Sequence, residues 1–155
     1  MTTRCRQNWS ENCEKALNIQ INKEYQASLN YHHLSSYFGR DDIGLDKLSE
    51  FYNKCSKEER EHADILIKYQ NKRGGKVLLT GILKPEVELD LGRDVMHSLE
   101  VALSLEKSIN ESLLNLHSIA DKENDAQFAD FLEGTFLEEQ VEAISELSKM
   151  ISLFF

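Results

Sequence analysis

Four stretches of this sequence carry apolar residues at the spacing of one helix face, and each face is interrupted near its middle by a residue able to bind a metal. On the first, Leu17, Ile21, Glu24, Ser28, Tyr31, Ser35 and Phe38 follow one another at steps of three and four. Leu45, Leu48, Tyr52, Cys55, Glu59, His62, Leu66 and Tyr69 form the second stripe. The third is Val95, Leu99, Ala102, Glu106, Ile109, Leu113, Leu116 and Ala120, and the fourth Phe136, Gln140, Ala143, Leu147 and Met150. An unpaired charge on a water-excluding seam costs several kcal/mol or more, so Glu24, Glu59 and Glu106 imply something positive between them. The pattern predicts a bundle of four amphipathic helices around a metal site.

Chain punctuation sets the limits. Gly39 with Arg40-Asp41-Asp42 ends the first helix, Gly74-Gly75 the second, Gly92 precedes the third, and the polar run Asp121 to Asp125 parts the third from the fourth. Ser10 is the expected start of the first, although Glu14 misses capping-box spacing by one residue. The helices are expected over about 10–38, 46–72, 92–120 and 124–152, in one domain covering 1–155. Glu24, Glu59, Glu106 and Gln140 then lie near the midpoints, so side-by-side packing brings them to one level. Short connections make the first pair and the last pair antiparallel. The segment 73–91, with the only proline, Pro85, is long enough to travel the length of a helix. The expected fold is therefore all-α, an up-down-down-up four-helix bundle with one long crossover.

Composition narrows the chemistry. A formal net charge of -9 over 155 residues disfavours nucleic acid and anionic membranes as partners and suits cations. Cys5, Cys13 and Cys55 form no Cys-x-x-Cys pair and read as reduced thiols. With no leader-like or membrane-spanning run of apolar residues, a cytoplasmic protein is the expectation.

In Glu59-x-x-His62 a carboxylate and an imidazole share a helix face one turn apart and can hold one ion. Such a pair arises often by chance, usually as a solvated surface pair. Its place inside a seam, matched by carboxylates on two other helices, gives it weight. Three carboxylates and one imidazole make a hard shell suited to iron or manganese rather than to structural zinc.

The run Glu58-Glu59-Arg60-Glu61-His62-Ala63, the segment Tyr69-Gln70-Asn71-Lys72-Arg73-Gly74-Gly75, the stretch Ala102 to Lys107 and the segment Phe136 to Val141 resemble the ferritins, with likeness from about Arg6 to Met150. The one-crossover bundle with inward Glu and Glu-x-x-His is already the established ferritin-like arrangement, so the two readings are not independent. The resemblance implies a shell of 24 copies, with co-assembly with related subunits open to it, that oxidises Fe(II) with O2 and stores the ferric mineral. It implies the catalytic heavy type of subunit, with two iron ions per chain as substrate and other divalent metals able to substitute. In that type Glu24, Glu59 and His62 match the ligands of the first iron, Glu59 bridges, and Glu106 is the main ligand of the second. Gln140 matches a residue beside the second iron, Tyr31 the tyrosine near the pair, and Glu58 the carboxylate at the edge of the site.

Ile109 and Ala143 stand where many di-iron proteins have a second histidine, so the second iron is expected to be held more loosely and released. Read from spacing alone, Asp130 and Glu133 are one acidic helix face; the resemblance assigns them, with His117, to the pores by which iron enters. Glu61 and Asp64, one turn apart and off the seam, resemble, with Glu58, the acidic patch where mineral begins. His32 and His33 are expected to be packing and interface residues, Trp9 and the terminal Phe154-Phe155 to pack, and His97 to be exposed. Ferritins usually continue into a short fifth helix lining four-fold pores; the sequence stops at Phe155, and wider openings with faster iron release are the expectation. A di-iron oxidoreductase acting on another substrate and a shell subunit without turnover are the competing readings.

Overall fold

The computed structural model describes residues 2–85, 87–89 and 94–153. Gly92, Phe154 and Phe155 lie outside the described residues. Helix α1 spans Glu11–Phe38, and Ser10 caps it, its Oγ accepting from the Cys13 N–H at 3.0 Å. Gly39 ends it and Gly44, at φ 65°, completes the turn into α2, Asp46–Lys72. Leu45, expected on the buried stripe, is instead the exposed residue preceding α2.

Small hydroxyl residues let α1 and α2 approach closely and fix their register. Ser28 Oγ donates to the Ser56 carbonyl at 2.8 Å while Ser56 Oγ donates back to the Ser28 carbonyl at 2.7 Å. Ser35 and Ser49 repeat the exchange two turns away, at 2.8 and 2.7 Å. One partner number rises as the other falls, so the helices are antiparallel.

The crossover climbs beside α1, held by two amide side chains. Asn18 donates to the Lys76 carbonyl and accepts from the Leu78 N–H, at 3.0 and 3.2 Å. Gln26 does the same for both backbone groups of Leu83, at 2.8 and 2.6 Å. Val87 and Leu89 then reach the far end of the bundle, where α3 (Asp94–Lys122) begins. Tyr31 with Glu106 and Lys23 with Ser112 pair α1 with α3 antiparallel, so α3 runs parallel to α2.

The fourth rod departs from the expected uniform helix: α4 (Ala126–Leu132) passes into one π-helical turn, Glu133–Leu137, and continues as α5 (Glu138–Ser152). The sequence contains the reason. Phe128, Leu132, Phe136 and Gln140 all face inward at successive steps of four, and steps of four overshoot a 3.6-residue turn. One wider turn takes up the drift and keeps all four on the core side. Together the elements are the all-α, up-down-down-up bundle.

The core is divided. At one end Trp9, Leu17, Ile21, Leu66, Leu113 and Phe136 pack together with their neighbours. At the other, Tyr31, Phe38, Tyr52, Leu99 and Leu147 do so. On every rod the polar residue of the stripe falls between these two clusters, which is what places the site.

Candidate metal centre

Glu24 comes from α1, Glu59 and His62 from α2, and all three are buried with one ligand atom each lying within 4.8 Å of the others. His62 Nδ1 stands 3.3 Å from Glu59 Oε2 and 3.8 Å from Glu24 Oε2. Gln20, one turn before Glu24, donates to Glu24 Oε1 at 3.0 Å. With both carboxyls ionised, Glu24 Oε2 is a buried oxygen without a hydrogen-bond donor.

Two negative charges so close cannot both persist out of water. Burial, reinforced by Glu24, pushes the Glu59 carboxyl well above the usual range. For Glu24, burial works the same way but is outweighed by hydrogen bonds from Glu59, His62 and Gln20, and its pKa is lowered. Of the two, Glu59 is therefore the more readily protonated and Glu24 the more readily ionised. Burial opposes charge on His62, yet Glu24 and Glu59 overcome it and hold the imidazolium up to about 11.

Glu106 of α3 is buried beside this cluster but turned to other partners. Its Oε1 accepts from the Tyr31 hydroxyl at 2.5 Å and its Oε2 from Gln140 Nε2 at 2.9 Å, while Gln140 also reaches the Glu106 carbonyl at 3.2 Å. Burial and the Glu106 charge push Tyr31 well above its ordinary pKa, so it remains a phenol and a donor. The structure thus gathers Glu24, Glu59 and His62 tightly and holds Glu106, Tyr31 and Gln140 as an adjoining hydrogen-bonded set. Glu58 sits half-buried at the rim, its carboxyl raised by burial and by nearby Glu139, against the lowering effect of Lys54.

Glu139 is a residue the sequence reading passed over. Its Oε1 lies 3.0 Å from His62 Nε2, although half of its side chain is exposed. It sits off the apolar stripe, so periodicity draws no notice to it; adjacency to inward-facing Gln140 was the available signal. Gln20 was likewise missed, and its position four residues before Glu24 was the clue.

The remaining candidates lie apart. His117 Nε2 meets Glu133 Oε1 at 2.8 Å across α3 and the π turn, and His117 Nδ1 stands 3.6 Å from Asp121, with Asp130 exposed nearby in sequence. Glu61 is exposed, while Asp64 is ion-paired to Arg60 one turn before it, so the expected acidic patch is partly neutralised. Trp9 is buried, its Nε1 donating to Gln70 at 2.9 Å. His32 and His97 are exposed and His33 is half-buried in the single chain. Among the described residues no helix is long and apolar enough to cross a membrane.

Residues 14–154 match the family model for the ferritin-like domain. The chain is 51% identical over 149 residues to Ferritin-3, chloroplastic, of Glycine max, covering 95% of this chain and 58% of that protein. It is 52% identical over 150 residues to Ferritin-4, chloroplastic, of Arabidopsis thaliana, with the same 95% and 58% coverage. Against Ferritin, chloroplastic, of Malus baccata var. xiaojinensis it is 50% identical over 149 residues, covering 95% of this chain and 60% of that protein. The chain therefore spans somewhat over half the length of these relatives. Their names, all chloroplastic, overturn the expectation of a cytoplasmic protein. A family model covering nearly the whole chain, and relatives at half identity over 95% of it, agree: the chain belongs to the ferritin family.

Proposed function

We propose that this chain is a ferroxidase subunit of an iron-storing shell, taking Fe(II) and O2 as substrates and passing Fe(III) to a mineral inside the assembly. The observation that carries the reading is the buried convergence of Glu24, Glu59 and His62 from two helices. That donor set, two carboxyls and a neutralisable imidazole, suits a hard divalent cation. As Fe(II) enters, His62 loses the proton on Nδ1, the nitrogen facing both carboxyls. Glu106 supplies a second position beside the first once it exchanges a hydrogen bond from Tyr31 or Gln140 for a metal. Two Fe(II) ions held side by side would furnish two electrons to one O2, which takes up two protons and leaves as H2O2 while both irons become Fe(III).

The absence of a second histidine beside Glu106 favours turnover over retention, because the second ion is held by fewer ligands. Glu58, half-buried at the rim, is positioned to hand iron onward. His117, Asp130 and Glu133 are assigned to iron entry, and Glu61 with Asp64 to mineral nucleation, Arg60 weakening the latter. Assembly into 24 copies, alone or with related subunits, belongs to the same reading. The plastid is its compartment, as it is in the names of the relatives.

The test is stopped-flow absorbance of Fe(II) oxidation. Wild-type protein should show a rapid phase that Glu59→Ala and His62→Ala lose, with assembly and helicity retained. Equal rapid phases in all three would refute the assignment.

A further inference from the structure

His62 has two ring nitrogens, and the fold uses them differently. Nδ1 faces Glu59 and Glu24 at 3.3 and 3.8 Å, which makes it the nitrogen available to an ion at the centre. Nε2 points the other way, to Glu139 Oε1 at 3.0 Å. An ionised carboxylate only accepts hydrogen bonds, so this contact requires the proton to be on Nε2. When a cation displaces the proton from Nδ1, the ring is left as the Nε2–H tautomer, the form in which Nδ1 presents its lone pair inward. Phe136 stands edge-on to the imidazole with ring centroids 5.4 Å apart, limiting rotation from the other side.

We propose that Glu139 is a positioning residue for the metal centre: it accepts the Nε2–H hydrogen bond of His62 and thereby fixes the tautomer and ring orientation that let Nδ1 bind a divalent cation. The inference rests on the metal-binding reading of Glu24, Glu59 and His62 and adds a residue from the fourth rod. It explains why a half-exposed flank residue is drawn onto a buried imidazole. It also gives the π turn a consequence, since Glu139 and Gln140 lie in the first turn after Glu133–Leu137 and their headings depend on it. Outer partners of metal-bound histidines recur across metalloproteins, and their loss costs roughly 10- to 100-fold in metal affinity.

The experiment compares Glu139→Gln with Glu139→Leu in the assembled, metal-free protein. Both substitutions remove the charge; only glutamine keeps an oxygen able to accept from Nε2–H. Co(II) is the probe, with affinity taken from titration and ligand geometry from the visible absorption bands of the bound ion. His62→Ala serves as the control that identifies the site, and circular dichroism verifies that each variant is folded.

The expected result is that Glu139→Gln stays within about threefold of wild type with the same bands, while Glu139→Leu loses about tenfold or more in affinity and its bands change. If glutamine and leucine weaken binding equally, Glu139 acts through its charge and the positioning role is overturned. If neither weakens it, the hydrogen bond has no bearing on the metal and the proposal is also overturned. Should His62→Ala bind Co(II) as wild type does, the metal-binding reading itself falls and takes this one with it, an outcome distinct from the other two.

Discussion

Removing one oxygen atom, by Tyr31→Phe, isolates the interaction that holds Glu106 in the metal-free site. The ring stays: Tyr31 stacks on Tyr52 with centroids 6.1 Å apart and an interplanar angle of 20°, and phenylalanine preserves that packing. What disappears is the hydroxyl donating to Glu106 Oε1 at 2.5 Å, between residues that are 1% and 4% exposed. Gln140 keeps its bond to the other oxygen, so one buried carboxylate oxygen is left without a donor. A hydrogen bond to a charged group contributes about 1.5–3 kcal/mol, and no cavity is added beyond the lost hydroxyl. For a domain of this size each kcal/mol moves the midpoint by roughly 2–4 °C, giving a fall of about 3–12 °C. Calorimetric melting of the metal-free protein measures it. Repeating the change in a Glu106→Gln background should reduce the cost to under about 1 kcal/mol, since the charge is gone. A Tyr31→Phe protein that melts with wild type, or the same loss in both backgrounds, would refute the reasoning.

Asp125 is 1% exposed, pairs both oxygens with Arg73 at 3.0 and 2.7 Å, and caps α4 through the Phe128 N–H at 3.0 Å. Asp125→Ala strands Arg73 and the cap and should cost about 3–5 kcal/mol, read from the emission of Trp9, over whose ring Arg73 lies; Asp125→Asn, which can retain the cap, should cost less. Thiol titration of the native protein near neutral pH should show one fast cysteine, Cys5, because Cys13 is buried with its pKa raised and burial lifts Cys55 to about 12; two or more fast thiols would contradict that packing. Zn(II) binding at pH 7 should release protons, the one on His62 Nδ1 among them, and tighten as pH rises, because the imidazolium is held up to about 11 in the empty site. Calorimetry in buffers of different ionisation enthalpy counts them, and a heat independent of buffer would be the contrary result.

The bundle was legible because its signal is periodic and repeated: Ile21 and Phe38, Tyr52 and Leu66, Leu99 and Leu113 are buried where steps of three and four place them. The crossover followed from length, although its attachment by Asn18 and Gln26 depends on side-chain amides meeting backbone, which no periodicity records. The π turn was not foreseen because the stripe was read from Phe136 onward; extended back to Phe128 it shows three steps of four in succession. Convergence of Glu24, Glu59 and His62 could be anticipated from depth along each helix. That Glu106 is drawn aside by Tyr31 and Gln140 could not, since it turns on rotamers and competing donors. Glu139 escaped notice because a half-exposed flank carboxylate looks like ordinary solvated surface until the imidazole opposite is located.

Anomalous diffraction from crystals of the assembled protein soaked in Zn(II) or Fe(II) tests the central claim most directly. The maps should show an ion bonded to Glu24, Glu59 and His62 Nδ1 at about 2.0–2.2 Å, and a second, weaker peak nearer Glu106. Peaks confined to surface carboxylates, with the buried cluster unchanged, would contradict it.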